Sequence, residues 1–298
     1  MIDSSYQPLI THREDTMQAT EETHEDNRGA YRIAEMPGGV DLEVERLRQQ
    51  ALLAWLEEAR QLKWFGLRDG MNILDVGSGP GFVSAQLLDM LPNSTVTGIE
   101  LDPVMIEKST KFLAPFLDNN RMTLVNGSLF NSGLPEASFD FAIARYVFQH
   151  LSDPVGAARE IRRLLKPGGK FVIHDIDDDS HLFEPKATPE VEAINARFLE
   201  QHTARGGDRH VGKKLLRILR EAGFTAQTLQ LIPVHSDEYG MDAIFPVTGN
   251  EALKASLDAG EINQEEYDIL LDFDEKSRTP EAITLLVLYL ACGTNPTP

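Results

Sequence analysis

The chain has 298 residues, 42% of them hydrophobic, and 47 acidic against 28 basic side chains give it a formal net charge of −19. That length buries a full core as one enlarged domain or two small ones. The acidic excess argues against a nucleic-acid backbone or an anionic membrane as partner, and a single cysteine, Cys292, excludes an internal disulfide and points to a reducing cytoplasm.

The first 30 residues are polar, acidic and without periodicity, so 1–30 is expected to be a mobile segment. Apolar residues at Leu42, Val44, Leu47, Ala51, Leu52, Trp55 and Leu56 then predict one amphipathic helix over 42–62. Residues 71–76 read as a buried strand that ends in the turn Gly77-Ser78-Gly79-Pro80-Gly81, and 83–91 as the helix after it. A second strand (95–100) leads into a helix over 103–117 with proline in its first turn. Strands at 122–125 and 139–144, a helix at 154–165 stopped by Lys166-Pro167-Gly168-Gly169, and a strand at 170–175 follow. This βαβ alternation implies a parallel sheet covered on both faces.

The second half is less regular. Helices are expected at 190–203 and 212–222, a strand at 224–234 and a last strand at 282–291. The 236–281 stretch between those strands is too long for a hairpin loop and reads as a helical insertion. The longest apolar run, in 283–292, is about half the roughly 20 residues of a membrane-spanning helix, so no membrane insertion is expected.

The strongest chemical signal is Asp75-Val76-Gly77-Ser78-Gly79-Pro80-Gly81 directly after a buried strand. Glycines there let a ligand approach the backbone, and the following helix offers free N–H groups. Glu100 closes the next strand, where an acid can take both hydroxyls of a ribose. A dinucleotide site would want its third glycine at position 82, which is Phe82, and Asp75 just before the turn would repel a pyrophosphate. Asp75 suits a cofactor carrying a cationic amine instead, which disfavours a nicotinamide-dependent oxidoreductase.

This spacing resembles the first motif of the class I S-adenosylmethionine-dependent methyltransferases. Gly98-Ile99-Glu100-Leu101-Asp102-Pro103, Gly127-Ser128-Leu129, Leu134-Pro135-Glu136-Ala137-Ser138-Phe139-Asp140, Ala144-Arg145-Tyr146-Val147-Phe148-Gln149-His150-Leu151 and Leu165-Lys166-Pro167-Gly168-Gly169 resemble further family segments, in the family's order over about 70–175. Ser128 departs from the acid often found beside the adenine. Two outlying segments, Glu45-Arg46-Leu47-Arg48-Gln49-Gln50-Ala51 and Gly206-Gly207-Asp208-Arg209-His210-Val211-Gly212, resemble the ubiquinone/menaquinone-biosynthesis and natural-product methyltransferases.

The resemblance implies an α/β, Rossmann-like class I fold: a seven-stranded, mostly parallel sheet whose last strand is antiparallel beside the sixth. It divides the chain into a helical cover (31–69), an S-adenosylmethionine-binding core (70–235), a helical lid insertion (236–281) and a final strand with its tail (282–298). It also implies methyl transfer from S-adenosylmethionine to a small molecule whose acceptor atom is nitrogen, oxygen or carbon. A cofactor-binding partner or regulatory protein without turnover is the alternative. Asp75 would engage the amino group, directly or through water, beside the backbone of Gly77, Ser78 and Gly79. Glu100 would hold the ribose, Leu101 and Leu129 the adenine faces, Ser128 its polar edge, with Arg145 at the methionine end and Gln50 or Arg46 at the carboxylate.

Candidates for a general base are His150, Asp175 and His210, with His174, Asp177 and Tyr239 behind them. Asp175-Ile176-Asp177-Asp178-Asp179-Ser180 fails the EF-hand pattern at Ser180 and Lys186, so no metal is assigned. A homo-oligomer built by exchange of the N-terminal arm is compatible with the sequence but not required by it. Residues 1–30 and 251–281 together carry −12 of the −19. If the second segment faces the entrance of a cationic cofactor, neutralising several of Glu261, Glu265, Glu266, Asp268 and Asp272 should weaken cofactor association at low salt.

Overall fold

A computed structural model describes residues 29–244 and 250–297; nearly all of the acidic 1–30 segment lies outside these residues. Its centre is one mixed sheet of eight strands: β1 (Asn72–Val76), β2 (Thr95–Glu100), β3 (Met122–Asn126), β4 (Phe139–Arg145), β5 (Leu165–Ile176), β6 (Leu182–Glu184), β7 (Thr225–His235) and β8 (Ile283–Thr294). The order β3-β2-β1-β4-β5-β8 is parallel as far as β5, and β8 runs antiparallel to β5, β6 and β7.

The sequence predicts seven strands; the eighth is β6. β5 pairs with β8 only over Leu288 to Thr294, and β6 pairs with Ile283 to Leu285. Three residues satisfy backbone groups on β8 that β5 does not reach, too short a piece to leave a periodic pattern.

Successive strand residues face opposite sides, which gives two cores. Ile73, Val96, Phe141, Ile143 and Val172 pack against α2 (Trp55–Phe65) and α3 (Phe82–Met90) through Leu62, Phe65, Leu87 and Leu88. Leu74, Val76, Ile99, Ala142 and Ile173 pack on the other face against α6 (Pro154–Leu164) and α8 (Leu215–Glu221). Between α3 and α6 lie α4 (Pro103–Phe112) and α5 (Ala114–Asp118), and α7 (Pro189–Ala204) precedes α8.

Two single helices of the sequence reading are each divided. The 42–62 helix is α1 (Gly39–Leu52) followed by α2, with a buried break at Leu53 and Ala54, where Ala54 adopts φ +54°. The 103–117 helix stops at Leu113, because Pro115 has no N–H with which to continue the ladder into α5.

The described part of the 236–281 stretch forms α9 (Ser236–Tyr239), α10 (Met241–Ile244), α11 (Asn250–Asp258) and α12 (Gln264–Ser277). Its place differs from the expectation of a lid over the entrance. Arg197 of α7 donates to the Glu261 carbonyl and the Glu266 carboxylate, Phe273 meets Phe183 of β6 edge-on, and no described residue of 236–281 lines the main cavity. Asp268 accepts from Gln264 and Asp272 pairs with Lys276 on the helix surface. Most of the acidic side chains of 251–281 are exposed, and none lines the cavity. No described helix is long and apolar enough to cross a membrane.

Gly81, at φ +89°, begins α3, and a Cβ there would stand 2.5 Å from Leu113 Cδ1 and 2.9 Å from Leu113 Cγ. Gly81→Ala combines a strained φ with this clash and should cost about 1–3 kcal/mol, read as a lower urea midpoint.

Candidate active site

The turn after β1 is held from the end of β2. The Ile99 carbonyl accepts from Gly77 N (2.8 Å) and Ser78 N (3.1 Å), and the Ser78 carbonyl accepts from Gly81 N. Gly77 sits at φ +65°, and any Cβ on it would meet Val147 Cγ2 at 2.6 Å. Gly79, also left-handed, has open space where a Cβ would be, so at this point the backbone itself faces a cavity of about 950 Å³.

Glu100 is fixed at the same place. Its carboxylate accepts from Gly79 N through one oxygen (2.9 Å) and from Asp102 N through the other (2.8 Å), it lines the cavity, and burial pushes its pKa up. Asn126, which the sequence reading passed over, donates from one amide nitrogen to the carbonyls of Glu100 (3.0 Å) and Leu101 (2.9 Å) and so sets the path of the chain there. Its one signal was its place as the last residue of β3. Leu101 (41% exposed) and Leu129 line the cavity nearby; the Ser128 hydroxyl, also in the wall, accepts from Phe130 N.

Asp75 lies behind this wall rather than in it. It is buried, accepts from the Ser84 hydroxyl (2.6 Å), and burial raises its carboxyl to about 7.

The far end is built by residues with no common motif. Tyr31 donates to Glu43 (2.7 Å), which Arg46 grips through Nε and Nη2 at 2.7 Å each; all three line the cavity, with Gln50 beside them. His150 stands between the rings of Tyr31 and His202, each 5.3 Å away, and burial first, then the nearby His202 and arginines, lowers its pKa to about 3. It is a neutral imidazole at ordinary pH. Arg209, paired with Asp178 at 2.9 Å, completes this end and donates to the Gln149 side chain. Tyr31, Glu43 and His202 were invisible in the sequence, because nothing local marks a residue that meets its partners only through the fold.

Of the three candidate bases, His150 lines the cavity; Asp175 and His210 do not. Asp175 is fully buried, accepts from Gln149 N (3.1 Å) and is raised by burial to about 7, so it anchors the turn that carries His150. His210 lies 3.6 Å from Asp177 and 3.5 Å from Asp179. Those three side chains have the spacing of a metal site, but the Lys213 ammonium pairs with both carboxylates and supplies the positive charge. Tyr239 donates to Glu57 outside the cavity. Arg145 reaches the wall, but its Nε and Nη2 donate to Glu58 (2.9 Å) and the Leu53 carbonyl (3.3 Å); His174 Nδ1 is 2.9 Å from the other Glu58 oxygen.

A mostly parallel sheet with one antiparallel strand inside it, a glycine turn after β1 and an acid closing β2 define a class I methyltransferase fold. Residues 74–173 match the family described as methyltransferase domain. An uncharacterized 37.1 kDa protein of a Streptomyces fradiae transposon is 31% identical over 75% of this chain and 66% of its own length. The ubiquinone/menaquinone biosynthesis C-methyltransferase of Paracoccus denitrificans is 27% identical over 38% of this chain and 45% of its own. The chain thus spans less than two thirds of these relatives. The Haemonchus contortus phosphoethanolamine N-methyltransferase 2, solved with phosphomonomethylethanolamine and S-adenosylhomocysteine, shares the fold at a TM-score of 0.54 and 18% identity, over 82% of this chain and 53% of that one. Residues 74–173 are thus a methyltransferase domain.

Asp75 titrates near 7 in the folded protein and near 3.8 when exposed, so its ionisation costs stability progressively as pH rises from about 4 through 7. Asp75→Asn, whose amide oxygen can still accept from Ser84, should be more stable than the parent at pH 8, with that advantage vanishing by pH 4. Urea midpoints across that range measure it.

Proposed function

We propose that this protein transfers a methyl group from S-adenosylmethionine to a small-molecule acceptor. The observation that carries the reading is the Glu100 carboxylate, held by Gly79 N and Asp102 N at the mouth of a glycine turn open to a large cavity. A carboxylate fixed there, with bare backbone alongside, fits a ribose diol; a side chain at position 79 would fill that space. When bound, the cofactor supplies a methyl group already made electrophilic by its sulfonium.

The chain's own residues then bind and align. Glu100 accepts from the ribose hydroxyls, Leu101 and Leu129 pack on the adenine, and Ser128 meets its polar edge. Asp75, beneath the turn, engages the amino group through water once it is ionised, and Gln50 on α1 faces the carboxylate. The 31–51 cover excludes water and holds the acceptor in line, which is most of what this chemistry asks of a protein. His150 is the candidate base that lines the wall, and it takes the proton when the acceptor nucleophile carries one that must leave, although burial leaves its imidazole a weak base. Asp175 holds the turn beneath it. Cys292, buried and unpaired, suits a reducing cytoplasm as the place of action.

Calorimetry with S-adenosylhomocysteine tests the cofactor site. The parent should bind it, and Glu100→Ala, which removes a charged hydrogen-bond acceptor, should bind it roughly 10–100-fold more weakly. Absence of binding, or equal binding by the variant, contradicts the reading, as does tight binding of NADH. For the base, turnover is measured with a panel of nitrogen, oxygen and carbon acceptors. His150→Gln should lower it by about 10²–10⁴ at unchanged S-adenosylhomocysteine affinity.

A further inference from the structure

Gln149, in the turn that carries His150, is buried at 3% exposure and lines the cavity. Its backbone is fixed from three sides: the N–H donates to Asp175 (3.1 Å), and the carbonyl accepts from Asp208 N (2.7 Å) and His202 Nε2 (2.9 Å). Its side-chain oxygen accepts from Arg209 Nη1 at 3.0 Å, and because arginine can only donate, that bond sets which end of the amide is oxygen. The amide nitrogen, with its N–H groups, has no acceptor among the described residues. Arg209 is pinned as well, with Nε and Nη2 on the two oxygens of Asp178 at 2.9 Å each. Three of its five N–H groups are thereby engaged, which leaves two more donors beside those of Gln149. Free donors on rigid side chains at a cavity wall call for a ligand that accepts.

The carboxylates of the same end are already taken. Both Glu43 oxygens hold Arg46 and one also takes Tyr31, while Asp178 serves Arg209. Glu35 at the rim stands between Arg32 (3.8 Å) and Arg205 (3.9 Å). A cationic amine would therefore find no carboxylate here without a cation, and an apolar group would leave the Gln149 and Arg209 donors unsatisfied. A carboxylate suits them: its two oxygens accept from amide and guanidinium together, and the guanidinium charge strengthens the bonds. The nucleoside subsites at Glu100, Leu101, Ser128 and Leu129 lie at the ends of β2 and β3, on the other side of β1 from β4 and this turn. We propose that the acceptor substrate is a small organic acid whose carboxylate is anchored by Gln149 and Arg209, apart from the subsites of the cofactor. The anchor decides which acceptors are held for methylation and takes no part in the transfer itself. The inference rests on the reading of this cavity as an S-adenosylmethionine site.

The probes are hydroxybenzoate, hydroxyphenylpropionate and indoleacetate, each beside its primary amide and the amine of the same skeleton. They are titrated by calorimetry into protein saturated with S-adenosylhomocysteine. At least one acid should bind the parent about tenfold or more tightly than its amide and its amine. Gln149→Glu is isosteric, keeps an oxygen for Arg209 and puts negative charge where the free N–H groups were. It should weaken that acid at least about tenfold and bring the amine level with it or ahead, while S-adenosylhomocysteine affinity stays within roughly threefold. Arg209→Lys, which keeps the charge and loses the fork, should weaken the acid selectively; thermal unfolding checks that each variant is folded. A parent that shows no preference for acids, binding none of them included, overturns the inference. So does equal loss of acid, amide and amine in Gln149→Glu, which makes Gln149 merely structural, and so does a loss of S-adenosylhomocysteine affinity, which gives its donors to the cofactor. All three results leave the cofactor reading standing. Failure of the parent to bind S-adenosylhomocysteine overturns that reading itself and the inference with it.

Discussion

The site depends on a single carbonyl. Ile99, the next-to-last residue of β2, accepts two hydrogen bonds from the turn that leaves β1, and so the glycine loop is not an independent hairpin but an attachment of the neighbouring strand. One residue later Glu100 grips the same loop at Gly79. The loop, the acid and the start of α3 are therefore placed together, by backbone geometry that parallel pairing of β1 and β2 already dictates. A ligand finds these groups pre-arranged, and little ordering remains to be done when it arrives.

Away from this point the cavity is assembled by elements that share no sequence neighbourhood. Its cofactor end lies in the α/β core, its cover in 31–51, and its far end joins the turn after β4 to His202 and Arg209. Neutral and paired groups dominate that far end: His150 is held uncharged, while Arg46 and Arg209 are each matched by a carboxylate. The walls thus present hydrogen-bonding capacity without a strong net field.

The parallel strands and the glycine turn could be read in the sequence because each depends on a short run of residues: a buried strand, a turn that only glycine can make, an acid at a strand end. The same locality explains what could not. β6 is three residues long and exists because β8 has an edge to fill. Arg145 looked like a ligand for the cofactor, yet its partner Glu58 lies 87 positions earlier on a helix whose break at Ala54 no periodicity announced. His150 was named from its place after β4, while Tyr31 and His202, which flank its ring, were not. The acidic 251–281 segment showed the opposite error: its charge was plain, but its position against α7 and β6 was not.

β8 lies between β5 and β7 and also pairs with β6. Lys170 on β5 meets Thr294 on β8, 124 positions further along, so this half of the sheet is made of contacts that are distant along the chain. During synthesis β5 emerges with one edge paired to β4 and the other bare, and stays so until the strand that fills the gap has been made. For that interval the nascent protein carries an apolar, hydrogen-bonding edge of the kind that recruits other chains. Its yield in a cell is thereby tied to how quickly those later residues follow, a kinetic demand that the finished sheet no longer displays.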